Sequence, residues 1–423
     1  MTEKIIQYVW QHRLFYPTGM IAMPTGEHIE VINPGQLNTD AGPDFFNAQI
    51  RIGQTLWAGN VEIHQKTNDW YQHGHHTDSA YNNVILHVVA ETSNEPILTE
   101  SGRQVPEIVL QFPTDIIKRF DAIDKSTNVI RCGQMLSQLS AFDLDSWIDR
   151  MLTERFEQRQ QMVETLIAET NCDWDQIFFI LLCRTMGFVV NAEPMQMLAQ
   201  LTPVKIMFKH NSIMQQEALL FGQAGLLPTE PTDEYSHQLI CEYEFLKNKF
   251  NLTSLNNSQW KWLRLRPSNF PTIRIAQLAA IINRIQGNFE SIFATTNIAQ
   301  LIELLTVRAS DYWTAHYAFG KNSKIAEKKL GLQSQRLIII NTIIPLLFAY
   351  ARRQSNEKKQ LNVMKMLSFL PIEKNSVISD WKQCGIVPQH EGEAQALLLL
   401  YKEYCKKHKC LICRWGHAIL AGH

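Results

Sequence analysis

The sequence lacks an excess of charge of either sign. Its 423 residues include 40 Lys and Arg residues and 41 Asp and Glu residues, which gives a net charge of −1. A chain so near neutrality has no overall field of the kind that attracts nucleic acid or membrane surfaces. With 45% hydrophobic and 19% charged residues, the composition also excludes a disordered chain. The sequence therefore predicts a globular protein, long enough for two or three domains.

Long hydrophobic runs and secretory features are also missing. No run of about 18 uninterrupted apolar residues is present, and the apolar stretch 337–350 is interrupted by Asn341, Thr342 and Pro345. The N-terminus has no basic region followed by an apolar segment and a small-residue cleavage site. Eight cysteines without such features favour free thiols or metal ligands over a disulfide framework. We expect a cytoplasmic protein with no membrane span.

The spacing of hydrophobic residues changes near residue 120. Before it, eight glycines and seven prolines separate short segments with the alternation of β-strands. These segments predict a helix over 3–15, a short helix over 78–82, and strands over 28–32, 45–52, 55–65, 84–90 and 107–111. After residue 120 the period is helical to the C-terminus. We predict an α+β protein: a small α/β domain over 1–120, then a large all-α region over 121–423 that ends in a cysteine-containing tail, 384–417.

The strand over 55–65 has one polar face. Alternation places four polar side chains on it: Asn60, Glu62, His64 and Lys66. Asp44 begins the preceding strand, and a hairpin between the two strands would bring its carboxylate near that of Glu62. Two carboxylates suit a hard divalent cation such as Mg²⁺ or Mn²⁺, which can stabilise a phosphoryl group and activate water. We predict a metal site at Asp44 and Glu62.

This arrangement resembles the PD-(D/E)XK phosphodiesterase superfamily, whose core is a helix, a three-stranded meander, a helix and a strand. Asp44 stands where that superfamily places its first acid, and Glu62-Ile63-His64 where it places acid-x-lysine. The resemblance implies an Mg²⁺- or Mn²⁺-dependent nuclease, a hydrolase, with Asp44 and Glu62 as ligands. His64 occupies the lysine position. Either Lys66 is a displaced catalytic lysine, or His64 positions or deprotonates water, or the site has lost catalysis.

Five of the 14 histidines are concentrated in this strand, the following loop and the next strand. His73 and Asp78 are candidates for a site that binds Zn²⁺, Fe²⁺ or Mn²⁺; alternatively, they belong to a polar loop in which Asp78 caps a helix. His75 and His76 are expected to be loop residues, because adjacent side chains seldom face one ion. His87 is polar within an apolar strand, and it is either a core histidine with satisfied hydrogen bonds or a site residue.

Three further segments distinguish the chain. They are 42–89, which begins Gly-Pro-Asp-Phe; 220–227, LFGQAGLL; and 266–278, RPSNFPTIRIAQL. With the cysteine tail, they resemble a bacterial family known as domain of unknown function 2851, over nearly the full length. The resemblance implies no activity, so function depends on the site.

The segment 220–227 contains two glycines, Gly222 and Gly225. It lacks the Gly-Lys-Ser/Thr ending of a phosphate loop, so these glycines predict close helix packing.

A basic, aromatic segment lies in the helical region. Trp260 and Trp262 stand close to Arg264, Arg266 and Arg274. Guanidinium groups and aromatic rings together suit phosphate contact and base stacking, so these arginines are candidates for binding DNA or RNA. Alternatively, the tryptophans pack in the core and the arginines pair with acidic residues.

The C-terminal cysteines have a metal-like spacing, Cys405-x4-Cys410-x2-Cys413. They predict zinc or an iron–sulfur cluster, or else three reduced thiols that pack together. Some PD-(D/E)XK nucleases carry a cysteine cluster after the nuclease core. A fourth ligand would come from one of Cys384, His390, His408 and His417. The remaining cysteines lack ligand spacing and are expected to be buried thiols: Cys132, Cys172, Cys183 and Cys241.

Together these features give one leading hypothesis and two alternatives. The leading hypothesis is a metal-dependent nuclease acting on DNA or RNA. The first alternative is a catalytically degenerate module that binds nucleic acid or a protein. The second is an enzyme that uses the histidines on a small substrate.

Overall fold

The computed structural model describes residues 2–422 apart from 19, 24, 94, 286, 288 and 289. The chain forms two compact units. The first comprises Met1–Trp147, Ser379–Val387 and Leu400–His423; the second comprises Ile148–Ile378 and Pro388–Leu399. Of the chain, 54% is helical and 13% is strand, which confirms the predicted α+β class. This division differs from the boundary expected near residue 120, because the first unit extends to Trp147 and includes the end of the cysteine tail.

The first unit is built on a mixed sheet. Its strands are β1 (Ile29–Asn33), β2 (Gln36–Leu37), β3 (Phe45–Ile52), β4 (Thr55–Lys66), β5 (Val84–Glu91), β6 (Ile97–Leu98), β7 (Gln104–Val105) and β8 (Glu107–Val109). The order across the sheet is β1-β3-β4-β5-β8, with β2 beside β3, while β6 and β7 pair separately. β1, β3 and β4 are antiparallel neighbours, and β4, β5 and β8 run parallel. In this register Glu62 on β4 lies opposite His87 on β5, and His87 lies opposite Glu107 on β8.

Two short helices of the first unit contact β4 of this sheet. The helices that lie wholly within the unit's first stretch are α1 (Glu3–Gln11), α2 (Asp69–Gln72) and α3 (Thr114–Asp124), with 3₁₀ turns at His75–Thr77, Ser79–Tyr81 and Gly133–Gln138. The apolar side of α1, including Ile6, Val9 and Trp10, is fully buried, and α1 contacts β4. Burial of that side stabilises the short helix, which would be marginal in isolation.

The C-terminal segment, residues 400–423, also belongs to the first unit. Its helix Arg414–Ala421 packs against α3 and against the 3₁₀ turn Gly133–Gln138. The buried ring of Trp415 lies 5.6 Å from that of Trp381, edge to face. The end of the chain is therefore anchored by aromatic packing.

The second unit is helical. The helices that form it wholly or in part are Ala141–Glu169, Trp174–Met186, Ala192–Leu201, Val204–Phe208, Ile213–Gln223, Glu234–Phe250, Pro271–Ile285, Glu290–Ala294, Ile298–Leu304, Leu332–Ile338, Ile344–Arg353, Glu357–Lys365, Ser376–Gln383 and Glu391–Leu400. Short strands His316–Ala318 and Lys321–Asn322 pair with each other. A Cβ at Gly222 would lie 2.1 Å from the ring of Tyr243, so this glycine marks the close helix packing that the sequence predicts.

One helical stretch, Leu332–Arg353, is long and apolar enough to span a membrane by length and composition. Of its apolar window, 72% is buried inside the protein. A π-helical turn over Ile339–Ile343 interrupts the stretch just before Pro345. Pro345 lacks a backbone N–H, so one hydrogen bond of the regular helix is missing next to this turn.

Candidate metal centre

Three histidines of the first unit direct ring nitrogens toward one another. One ring nitrogen each of His64, His73 and His75 lies within 4.8 Å of the other two. His64 and His75 are buried and His73 is exposed, so the group is open to solvent on one side. Neutral imidazoles are ligands for Zn²⁺, Fe²⁺ and Mn²⁺, and this spacing suits a single ion.

Glu62 adds a carboxylate to this group. Its Oε1 lies 3.2 Å from Nε2 of His75 and 3.5 Å from Nε2 of His64. Within the described residues, the buried Nε2 of His75 has no hydrogen-bond partner. A cation held between this nitrogen and the carboxylate would account for both groups. The three imidazoles, with the carboxylate of Glu62 beside two of them, are donors of the kind that bind a divalent transition-metal ion or Zn²⁺.

The local fold explains how these side chains meet. Glu62 and His64 project from the same face of β4, because they are two residues apart in a strand. Gly74 adopts a φ of 78°, in the left-handed region that glycine accepts without strain, and it reverses the chain after α2. The 3₁₀ turn that follows places the ring of His75 5.2 Å from that of His64, nearly parallel to it.

A buried hydrogen-bonded chain orients His64. Nδ1 of His64 lies 2.8 Å from Nε2 of His87, and Nδ1 of His87 lies 2.8 Å from Oε2 of Glu107. Hydroxyls of Thr67 and Thr92 donate to the other oxygen of Glu107, at 2.9 and 2.6 Å. Since a carboxylate only accepts, His87 donates through Nδ1 and accepts from Nδ1–H of His64. Nε2 of His64 is left with a lone pair directed at the three-histidine group.

The electrostatic environment of His64 favours the neutral ring. Burial, followed by the neighbouring imidazoles of His87, His75 and His73, lowers the pKa of His64 to about 2. The uncharged imidazole is the form that binds metals. Nε2 of His64 lies 3.1 Å from Nδ1 of His73, which places these two nitrogens on the same side of the group.

Asp44 lies beside Glu62. The backbone N–H of Asp44 donates to Oε2 of Glu62 at 3.0 Å, and Oδ2 of Asp44 accepts from the N–H of Ile63 at 3.0 Å. Gln7 on α1 donates to Oδ1 of Asp44 at 2.9 Å. Burial, then the charge of Glu62, raises the pKa of Asp44 to about 7, and burial raises the pKa of Glu62 to about 8. A bound divalent cation would hold both carboxyls in the ionised form.

Two predicted site residues lie elsewhere. Nζ of Lys66 is 3.7 Å from the carboxylate of Glu91 at the exposed end of β4, and its role as a displaced catalytic lysine stays a prediction. Oδ1 of Asp78 accepts from the N–H of Ala80 at 2.9 Å and caps the 3₁₀ turn Ser79–Tyr81. Its carboxylate is therefore used by the backbone, as the alternative interpretation held.

Several residues around the group were not predicted from the sequence. His75 was expected to be a loop residue, whereas its ring points into the group and that of His76 packs on Tyr71, with ring centres 5.0 Å apart. Adjacent residues diverge because a 3₁₀ turn has about three residues per turn. Gln7 and Glu107 also escaped notice. Gln7 gave no distinct signal, because its helix also contains Glu3, Lys4 and Gln11, whereas Glu107 is an acid at the start of a buried strand.

The three candidate arginines have different environments in the second unit. Arg264 and Arg266 are exposed. Arg274 is buried and donates to Oε1 of Gln277 at 2.9 Å and to Oδ1 of Asn269 at 2.6 Å. The prediction that Arg274 contacts nucleic acid is therefore wrong, because its guanidinium is bound inside the core.

Three of the candidate fourth ligands of the cysteine tail have identified neighbours. His390 lies in the second unit, 3.5 Å from Glu393. In the first unit, Nδ1 of His417 lies 2.7 Å from the hydroxyl of Tyr8. Cys384 lies beside Gly133, where a Cβ would come 2.3 Å from its sulfur.

The fold and this group of side chains define an α+β protein whose sheet carries a histidine- and carboxylate-rich candidate metal centre. A family model described as protein of unknown function (DUF2851) matches residues 3–376, and the chain belongs to this family. No curated protein and no solved structure matches the chain.

Proposed function

We propose that this protein is a metal-dependent phosphodiesterase that acts on nucleic acid. One observation carries the proposal. The carboxylate of Glu62, which accepts from the backbone N–H of Asp44, lies within 3.5 Å of ring nitrogens of His64 and His75 in the three-histidine group. A metal ion held there would stabilise charge on a phosphoryl group and lower the pKa of a bound water. Asp44 and Glu62 would supply the carboxylates, and the histidines the nitrogen ligands.

The order of elements supports this proposal. α1, the antiparallel strands β1, β3 and β4, then α2 and the parallel strand β5 follow one another as the resemblance to the PD-(D/E)XK superfamily implies. Asp44 directly precedes β3, and Glu62 lies on β4, the strand next to it. A likeness in topology is an argument by analogy, so the side-chain chemistry carries more weight.

The donor set favours Mn²⁺, Zn²⁺ or Fe²⁺ over Mg²⁺. Magnesium prefers oxygen ligands and keeps several waters, whereas imidazoles suit the softer ions. His64 stands where the resemblance implies a charged lysine, but its ring is neutral and oriented by His87. We therefore assign His64 the role of a ligand. On the second unit, the exposed Arg264 and Arg266 are the remaining candidates for phosphate contact.

Metal binding and cleavage by the full chain test this proposal. The protein is loaded with Mn²⁺ or Zn²⁺, its metal content is measured by mass spectrometry, and single- and double-stranded DNA and RNA are supplied as substrates. Glu62→Gln removes the negative charge of the carboxylate and His75→Ala removes an imidazole, so we expect metal to be lost and cleavage to fall at least about 100-fold. His76→Ala is the matched control, because this adjacent histidine lies outside the group and should leave both unchanged.

Two outcomes would contradict the proposal. Cleavage that survives Glu62→Gln would show that the assigned group does not perform the reaction. Stoichiometric metal without cleavage of any of the four substrates would favour a catalytically degenerate binding module.

A further inference from the structure

A cavity of about 520 Å³ lies beside strands β3 and β4 of the first unit. Its volume is within the range of small-molecule sites, about 300–1,000 Å³. One aromatic ring, that of Trp57, contributes to the lining, and the other prominent groups are side-chain amides. These amides belong to Asn47, Gln49, Asn60, Asn82 and Asn83. Because an amide both donates and accepts hydrogen bonds, the cavity suits a small ligand with polar edges.

A β-bulge brings Asn47 to this cavity. The pairing of β3 with β4 shifts between Phe45 and Ala48, so that two residues of β3 stand opposite Asn60. Asn47 adopts a φ of 57°, in the left-handed region where asparagine is enriched several-fold. Its backbone N–H donates to Oδ1 of Asn60 at 3.4 Å. Bulges recur next to active sites, where they redirect a side chain, and here the redirected side chain lines the cavity.

A glycine brings β4 close to the segment that leads into β5. A Cβ at Gly59 would lie 2.4 Å from Cγ2 of Ile85 and 2.7 Å from the carbonyl oxygen of Asn83. The backbone N–H of Asn60 donates to the same carbonyl oxygen at 2.9 Å. Only glycine at position 59 permits this close approach, which joins the two walls of the cavity.

Two lining side chains hold the second wall in place. Nδ2 of Asn82 donates to the carboxylate of Glu100 at 2.9 Å, and Oδ1 of Asn82 accepts from the N–H of Ser101 at 3.1 Å. Nη2 of Arg103 donates to the carbonyl oxygen of Asn82 at 2.9 Å. Asn82 and Arg103 are thus committed to the protein itself and give the cavity a fixed shape.

The other lining side chains are free to meet a ligand. The amides of Asn47, Gln49 and Asn83 make no hydrogen bond to the described part of the chain. The side chain of Trp57 is 39% exposed. Proteins bind nucleobases with these two kinds of group, because amides pair with the edge of a base and aromatic rings stack on its face. Asparagine and glutamine amides match adenine in particular.

Both walls of the cavity continue into the three-histidine group. Asn60 lies two residues before Glu62 on β4, which is about 6.6 Å along a strand. The segment 82–83 follows the 3₁₀ turn that ends at Tyr81, whose ring stacks on that of His75 with centres 3.8 Å apart. A nucleotide whose base occupied the cavity would therefore lie beside the group to which the proposed function assigns a phosphoryl group.

We propose that this cavity binds a base of single-stranded nucleic acid, with Trp57 on the face of the base and Asn47 and Asn83 on its edge. A base inside a duplex is stacked and paired, so it would reach such a cavity only after leaving the stack. The inference rests on the proposed function for the position of the phosphate, whereas binding of the base requires no metal.

Binding by the metal-free full chain tests the proposal. The probes are a fluorescein-labelled oligodeoxyadenylate and a strand of the same length and charge that lacks bases, each titrated in EDTA and followed by fluorescence anisotropy. Loss of one base–aromatic stack weakens binding about 5- to 150-fold, so we expect wild type to prefer the oligodeoxyadenylate by at least about 5-fold. Trp57→Ala should lose most of this preference.

Two further variants separate recognition from folding. Asn47→Gly removes an amide but keeps a residue that accepts the left-handed backbone, so it should lower the preference without strain. Leu56→Ala is the matched control, because this exposed neighbour of Trp57 projects from the opposite face of β4 and lies outside the lining. It should retain the wild-type preference.

Equal affinities of wild type for the two strands, or no binding of either, would overturn the proposal without the use of a variant. An unchanged preference in Trp57→Ala would do the same, as would its loss in Leu56→Ala. The proposed function fails separately. Metal-dependent cleavage without a preference for bases would leave the phosphodiesterase and remove the base site, whereas a preference for bases without cleavage would do the reverse.

Discussion

His87 is a polar residue in an otherwise apolar strand, and its surroundings explain how it is tolerated. Its two ring nitrogens lie 2.8 Å from His64 and 2.8 Å from Glu107, so the fully buried ring leaves no polar atom unsatisfied. The two interpretations offered by the sequence are therefore compatible. The bonds that satisfy His87 in the core are also the bonds that orient His64.

At the scale of single residues, sequence analysis finds polar side chains that interrupt a regular pattern. His64 and Glu62 were identifiable because alternation gives a strand two distinct faces. His75 was not, because its direction is set by the left-handed Gly74 and the turn that follows.

Glu217 in the second unit gives a prediction about pH. Its Oε2 accepts hydrogen bonds from the hydroxyls of Tyr235 and Ser310, and burial raises its pKa from 4.5 to about 7. A carboxyl with a raised folded-state pKa binds more protons in the folded than in the unfolded protein. Its stabilising contribution is therefore complete below about pH 4.5 and is lost as the pH rises through about 7.

Glu217→Gln should remove this dependence. Relative to wild type, we expect the variant's free energy of unfolding to rise by roughly 2–3 kcal/mol between about pH 5 and about pH 8, measured by urea denaturation. Glu230→Gln changes an exposed carboxyl of the same unit and should track wild type. Parallel pH profiles for Glu217→Gln and wild type would contradict the assignment.

At the scale of elements, alternation predicts the strands well and the helix ends less well. The strand predicted over 45–52 is β3, and that predicted over 84–90 is β5, which ends one residue later. The helix predicted over 3–15 ends at Gln11, because Arg13 adopts a φ of 52° and turns the chain out of the helix. Side-chain alternation is a local property, whereas a helix end depends on a backbone turn that few residue types announce.

Gly222 provides a prediction about helix packing. Gly222→Ala would place a methyl group within the ring of Tyr243, whose hydroxyl also donates to Gln223 at 3.0 Å. We expect the free energy of unfolding to fall by about 1–3 kcal/mol in urea denaturation, even though alanine is the better helix former. Gly331→Ala is the control, because no atom lies within 4 Å of the added Cβ. A Gly222→Ala protein as stable as that control would contradict the packing argument.

For the whole molecule, the change of hydrophobic period near residue 120 predicts the α+β class correctly. The division into units was beyond sequence analysis, since it depends on contacts between segments far apart in the chain. The helix Arg414–Ala421, for example, packs on α3, although some 290 positions separate them. Hydrophobic periodicity shows that such a helix has an apolar side but does not identify what covers it.

Deletion of residues 400–423 tests the place of the C-terminal segment. We expect faster amide hydrogen exchange in α3 and in the turn Gly133–Gln138, because both lose the helix that packs against them. Exchange would be followed by mass spectrometry, with Lys406→Ala, an exposed residue of the same segment, as the matched control. Unchanged protection in α3 after the deletion would contradict this arrangement.

The first unit is assembled from three separate stretches of the chain, and this has a consequence for biosynthesis. On the ribosome, residues 1–147 emerge first, but they cannot complete their unit until residues 400–423 have been translated. Domains generally fold in the order of their synthesis. Here the nascent sheet has all its strands early, but α3 and the turn Gly133–Gln138 stay without the helix that packs on them while the entire second unit is made. Part of the unit that is translated earliest therefore reaches its native packing last.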